Sequence, residues 1–239
     1  MADQHVRGID SWIDEVCGQG FYEEIPESDE RCHVGQFFKT HIKYPFTLSP
    51  KVLEIESFDP SNELESIFRI ADYDSDSETQ RMRPIKQLNL KSTDRLYISA
   101  GKIRTVILLK LIESFWMEDE SVKLALCIPI SSFKLWMDAG LIIGTQLFEI
   151  PQYFYIRAAE SGARAESAAR FDLIQYVCFD HIEAIRNDRN NARFKLAPFS
   201  LKLMFNHLSN YILEKPYDEA VNQEITAYRD ILKDEIGRK

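Results

Sequence analysis

Two apolar stretches constrain this chain more than any other feature. Ile103–Leu109 reads IRTVILL and Val122–Ile130 reads VKLALCIPI. Both are dense in β-branched and apolar residues, and the turn-like Met117–Ser121 separates them. Neighbouring strands are the expected result. A strand apolar on both faces has to be buried on both, or lie in a strongly curved sheet. Residues 34–42, 52–57, 66–71, 148–156 and 169–179 read as further strands, the last two split by a small-residue loop at 158–166. Helical patterns do not alternate with these strands, which argues against a doubly wound parallel sheet. The clearest helical spacing lies at the flanks. Ile9, Trp12, Ile13 and Val16 share one helical face near the start. Leu201, Met204, Phe205, Leu208 and Ile212 share another, and Val221, Ile225, Tyr228 and Leu232 a third. Ser132–Ala139 reads as a short helix ended by Gly140, and the acidic, Pro26-containing stretch Phe21–Arg31 as a linker. The expected fold is mostly β in an α+β setting: a small barrel or half-barrel with a short N-terminal helix and two C-terminal helices.

Charge divides the chain unevenly. The net charge is -9, from 29 Lys+Arg against 38 Asp+Glu. Residues 1–80 hold 18 acids and 6 bases, whereas residues 81–239 hold 20 acids and 23 bases. The acidic first third does not suit a phosphate-coating or polybasic membrane surface, while the slightly basic remainder leaves room for a local cationic cleft. An acidic arm that shields such a groove is one use for the leader, and plain solvated surface is the simpler one. None of the four cysteines has CxxC spacing, and Cys127 and Cys178 sit in apolar runs where a reduced thiol is usual. The polar opening Met1–Asp14 does not read as a signal peptide, and no apolar run approaches the roughly 20 residues of a membrane span. The expectation is a reduced, cytoplasmic protein with no membrane association.

Several motifs fail on their own chemistry. Asp72, Asp74 and Asp76 open like a calcium loop, but the glycine and glutamate positions hold Ser77 and Arg83. No glycine-rich phosphate loop, GxSxG elbow or HExxH pair occurs, and Cys32-His33 is too small a set for a structural zinc site. Neither a metal nor another cofactor is expected.

Three segments invite a joint reading. Gly101–Leu109 puts Arg104 at the mouth of an apolar strand, Leu126–Ser132 puts Ser131 and Ser132 at the end of the next, and Ala169–Gln175 puts Arg170 and Asp172 two apart on one strand face. If these strands are neighbours, the set suits phosphodiester chemistry. Arginine neutralises phosphate through a fork of donors, a hydroxyl holds a non-bridging oxygen, and a carboxylate takes a proton from a ribose 2′-hydroxyl. Lys102, Ser132, Arg157 and Arg164 are the further candidates for RNA contact. The blander readings are an ordinary Arg170–Asp172 ion pair and a serine N-cap for the following helix.

These residues resemble the MazF/PemK-type growth-inhibitor ribonucleases of toxin–antitoxin systems. Val34-Gly35-Gln36-Phe37-Phe38 is similar to the family's opening strand. Gly101-Lys102-Ile103-Arg104-Thr105 followed by an apolar run is similar to its second. Ile128-Pro129-Ile130-Ser131-Ser132 is similar to the end of its third, and Ala168-Ala169-Arg170-Phe171-Asp172 to a later one. The resemblance covers roughly 34–44 and 101–187. It implies a small SH3-like β-barrel, often a homodimer, that cleaves single-stranded RNA without metal in a bacterial defence setting, with an antitoxin as protein partner. It implies Arg104 as phosphate stabiliser, Ser131 as phosphate-oxygen ligand, Asp172 as general base and Arg170 as general acid or charge clamp. Thr105 stands where the family has proline, Lys91–Ala100 has no histidine, and about 50 residues are inserted near 47–100. The division implied is an arm at 1–32, a barrel domain at 33–196 carrying the insertion, and a helical extension at 197–239. The alternative reading is the same barrel without chemistry, as a protein-interaction or nucleic-acid-docking subunit.

Overall fold

The computed structural model describes residues 20–43, 51–59, 61–62, 65, 67–72, 96–98, 101–117, 120–134 and 137–237. The expected helix at 9–17, residues 73–78 of the acidic loop, and 91–95 and 99–100 of the loop before Arg104 lie outside them. The chain divides into two compact units, Lys43–Lys102 and the remainder. The smaller unit contains a three-stranded antiparallel sheet. Its centre is β3 (Lys51–Ser57), flanked by β4 (Ile67–Asp72) and β5 (Leu96–Ile98).

The larger unit is built on the two apolar runs. β6 (Gly101–Met117) and β7 (Glu120–Ser132) pair antiparallel from Val106–Pro129 out to Met117–Glu120. Around this hairpin lie β2 (Phe37–Lys43), β8 (Tyr153–Ile156), β9 (Ser167–Arg170), β10 (Gln175–Cys178) and β11 (Glu183–Ala184), in the order β11-β2-β6-β7-β9-β8, with β10 also on β7. The described path is open, running from β11 to β8. The fold is therefore mixed α+β and strand-rich.

The unbroken apolarity of the hairpin has a direct cause. Ile107, Leu109, Ile128 and Ile130 face a large core with Phe37, Phe154 and Phe194. The alternate positions Val106, Leu108, Ala125 and Cys127 face a second, smaller core with Phe38, Ile42 and Val177. Both faces of the sheet are covered, so alternation disappears. Burial pushes the Cys127 thiol up to about 12, while Cys32 and Cys178 are only partly covered.

Several expectations change. The acidic stretch 21–31 is not a linker: β1 (Tyr22–Ile25) pairs with β12 (Arg193–Leu196), residue Tyr22 opposite Leu196. Phe21, Tyr22 and Ile25 are buried between exposed glutamates, a pattern whose partner lies far along the chain. The helix expected at 132–139 begins where it was to end. α1 (Ala139–Gln146) is capped by Asp138, whose carboxylate accepts from the Leu141 amide at 3.0 Å. Ser132, where it was to start, stays in β7 because β9 pairs with Ile130–Ser132. Finally, the opening of the strand at Val34 is a turn, and the strand starts at Phe37. Gly35 has φ +83°, donates to Leu108 O at 2.8 Å and accepts from Leu196 N at 3.0 Å, a junction suited to a residue without a side chain.

The tail is α2 (Pro198–Leu213) and α3 (Glu219–Gly237). Pro198 supplies a preset φ at the first turn of α2. Ser200, Leu203, Met204, His207 and Leu208 form its buried stripe, whereas Phe205 and Ile212, expected on it, are exposed. Val221, Ile225 and Tyr228 of α3 are buried as expected; the Leu232 side chain lies outside the described ones. No described helix is long and apolar enough to cross a membrane.

Candidate functional site

A break in the sheet creates the site. β10 reaches β7 at the rung Cys127–Gln175, and β9 resumes at Ile130–Ala169. Between those rungs β7 has two residues, 128 and 129, and its partner has five, 170–174. The extra residues form a 3-10 turn at Phe171–Leu173. The turn stands opposite Pro129, which brings no amide donor to the ladder, and bulges are where strands tolerate proline. The single strand expected over 169–179 is thus two strands and a turn.

Arg170 and Asp172 do not share a strand face. Arg170 ends β9 and Asp172 sits in the turn, yet the turn folds the carboxylate back onto the guanidinium. Arg170 Nε donates to Asp172 Oδ1 at 2.8 Å and a terminal nitrogen to Oδ2 at 2.5 Å, a bidentate fork. The two side chains are 25% and 22% exposed, so the fork is partly shielded but reachable from solvent. Tyr153, opposite Arg170 on β8, lays its ring under the guanidinium, 5.0 Å from Cζ to centroid.

Strand parity places two more residues on this face. Ser131 pairs with Ala168, two positions from Arg170, so both point the same way. By the same geometry Ser131 and Arg170 are roughly 8 Å apart at Cα. Val106 pairs with Pro129, so Arg104, two residues before Val106, and Ser131, two after Pro129, also share a face. Arg104 and Ser131 are half-buried. The strands β6, β7 and β9 are consecutive in the sheet. Arg104, Ser131 and Arg170 therefore lie on one face of three adjacent strands, with Asp172 held in the arginine fork.

The remaining candidates go elsewhere. Ser132 points to the opposite face, where its hydroxyl lies 3.3 Å from that of Ser167, and Ser167 donates to Ala165 O at 2.7 Å. It caps no helix, and the two serines do not act as a pair. Arg157 and Arg164 belong to the far end of β8–β9, beyond the rung Ile156–Ser167, roughly 10 Å along the strands from Arg170. Arg157 is half-buried, and its carbonyl accepts from the Tyr22 hydroxyl. Arg164 is exposed and paired with Asp188 at 2.6 Å. Lys102 is exposed and belongs to the smaller unit.

Sequence reasoning passed over Tyr153 and His207. Tyr153 carried a faint signal, an aromatic strand of sequence YFYI. His207 carried none, because its partners are Tyr217 and the carbonyls of Ile150 and Tyr153. Among the described residues no three His, Cys, Asp or Glu side chains gather as metal ligands. Comparison with protein-family models, with curated proteins and with solved structures gives no match.

Proposed function

We propose that the chain is a metal-independent endoribonuclease acting on single-stranded RNA, built on a MazF/PemK-like barrel. The observation that carries this reading is the common face of Arg104, Ser131 and Arg170 beside the Asp172 carboxylate. A barrel-like curl is supported by the Gln36–Lys195 bridge and the Leu196 N to Gly35 O bond, which tie the β1–β12 ladder to the start of β2.

In the proposed reaction Asp172 accepts the ribose 2′-hydroxyl proton. Each oxygen in the fork keeps a second lone pair for that purpose. The 2′-oxygen attacks the adjacent phosphorus, the bond from phosphorus to the 5′-oxygen breaks, and a 2′,3′-cyclic phosphate forms. The departing 5′-oxygen takes a proton from solvent. Arg104 and Arg170 balance the charge that grows on the non-bridging oxygens, and Ser131 donates to one of them. Arginine stays protonated throughout, so Arg170 serves as clamp rather than acid. The Tyr153 ring beside Arg170 offers a base a surface for stacking.

The test is incubation with mixed-sequence single-stranded RNA in EDTA. Cleavage to cyclic-phosphate ends is expected, falling about 10²-fold or more in Arg170→Ala and Asp172→Ala. Intact RNA, or cleavage indifferent to both substitutions, refutes the reading.

A second reading is a non-catalytic barrel that docks a protein or a nucleic acid in a larger complex. It is favoured by the mutual engagement of Arg170 and Asp172 and by the pairing of Arg164 with Asp188. Specific capture of RNA without cleavage, weakened by Arg170→Ala, would select it. The cytoplasmic setting expected from the sequence, and the homodimer and antitoxin partner implied by the resemblance, belong to the first reading.

A further inference from the structure

We propose that His207, held by Tyr217, is the positioning residue for the Arg170–Asp172 clamp. The catalytic consequence rests on the ribonuclease reading; the mechanical one does not.

His207 lies on α2, fully buried among the rings of Phe148, Phe154, Phe171 and Tyr217. Its Nε2 is 2.9 Å from Tyr153 O and 3.2 Å from Ile150 O. Carbonyl oxygens only accept, so Nε2 carries the proton and donates. Nδ1 then has a lone pair, and the Tyr217 hydroxyl donates to it. One neutral tautomer satisfies every polar atom of the ring, and burial, which disfavours the cation, points the same way.

What makes this more than a satisfied core histidine is where its contacts lead. Tyr153 is the cross-strand partner of Arg170 and supplies the ring beneath its guanidinium. Phe171, whose ring centroid lies 5.7 Å from that of His207, is the residue between Arg170 and Asp172. The Phe171 amide donates to Gln152 O at 2.9 Å, inside the same 150–153 turn that His207 grips. The clamp thus sits on a ladder interruption, and a side chain from a distant helix packs against Phe171 within it and holds Tyr153, the cross-strand partner of Arg170 at its β9 edge. The link from sequence to site runs through α2 and the 214–218 connector, which a bare strand-turn-strand would lack.

The readout is hydrogen exchange of the Arg170 Nε–H, which donates to Asp172 and is detected by nitrogen-15 NMR of the full chain, assigned by its loss in Arg170→Lys. His207→Gln keeps a donor and an acceptor and is expected to preserve slow exchange. His207→Leu is expected to speed exchange about tenfold, while backbone amides of β6 and β7 keep their protection. Tyr217→Phe removes a single hydroxyl and covers the case in which His207→Leu does not fold; an increase of several-fold is expected. Unchanged Arg170 exchange in a folded His207→Leu, or in Tyr217→Phe, overturns the proposal. RNA cleavage is the second readout: kcat should fall with KM unchanged in Tyr217→Phe and recover toward wild type in His207→Gln. Absence of cleavage by the wild type defeats the ribonuclease reading and leaves the exchange result to judge the positioning.

Discussion

Gly162→Ala should destabilise the larger unit severely, and the reason is a single ring. A Cβ at this position would stand 2.1 Å from Tyr22 Cε2, 2.2 Å from Cδ2 and 2.5 Å from Cζ. The backbone does not require glycine here, since φ is positive only at Gly20 and Gly35 among the described glycines. Alanine would otherwise be neutral or stabilising by about 0.4–1 kcal/mol. The Tyr22 ring has little room to yield. It is packed edge-on against Phe21, Phe37 and Phe194 at centroid distances of 4.8, 5.7 and 5.5 Å, and its hydroxyl donates to Arg157 O. Displacement costs about 1–3 kcal/mol in overpacking, and loss of the hydrogen bond adds about 1 kcal/mol. A total of roughly 2–4 kcal/mol corresponds to a fall in Tm of about 5–15 °C for a unit of this size. Urea denaturation followed by circular dichroism measures it. Tyr22→Leu combined with Gly162→Ala should lose less than the sum of the two single changes, because the smaller side chain vacates the space. Wild-type stability in Gly162→Ala, or strict additivity in the double variant, would refute the packing argument.

Further predictions follow the same logic. Burial holds His207 below its ordinary value of 6.5, with Arg229 acting in the same direction and the Tyr153 and Ile150 carbonyls opposing. The unfolded chain therefore binds the proton first as pH falls below about 6.5, so the stability this group contributes is full above that pH and declines below it, by at most about 1.4 kcal/mol per unit. Urea midpoints at pH 7 and pH 5 should differ more in wild type than in His207→Gln. Cys127, with its thiol pushed up to about 12 and no exposed surface, should be labelled by a thiol reagent only on unfolding, whereas Cys32 and Cys178 should react in the native state. Arg164→Ala should cost no more than about 1 kcal/mol, and less at high salt, because its pair with Asp188 is exposed. A larger loss would assign the loop at 158–166 a structural charge network.

Much of the scaffold was legible because it depends on local pattern. The long β6–β7 hairpin follows from two β-branched runs, and its burial on both faces follows from their lack of alternation. The α3 stripe of Val221, Ile225 and Tyr228 follows from the 3.6-residue period. The segments that misled are those whose partners are distant. Glu23, Glu24 and Pro26 make 21–31 look like a linker, but β12 lies about 170 residues on and its hydrogen bonds decide the strand. α2 kept its helix but not its expected face: Phe205 and Ile212 are as apolar as Leu203 and Met204, and only the position of the sheet selects between them.

The candidate site shows the same division more sharply. The residue types can be read from the chain alone, and so can the placement of Arg104, Ser131 and Arg170 on strands, because alternation along a strand is a local property; Asp172, expected on the face of Arg170, lies instead in the turn. Whether those strands are neighbours is not local. The order β6-β7-β9, the 3-10 turn opposite Pro129 that swings Asp172 into the Arg170 fork, and the contact of His207 with Phe171 and the Tyr153 carbonyl were decided by tertiary structure. So was the separation of Ser132, Arg157 and Arg164 from the group. The physical reason is that sequence encodes which side chains can bury and which can pair, whereas the register of the ladder and the docking of a remote helix select which of those pairings the folded chain makes.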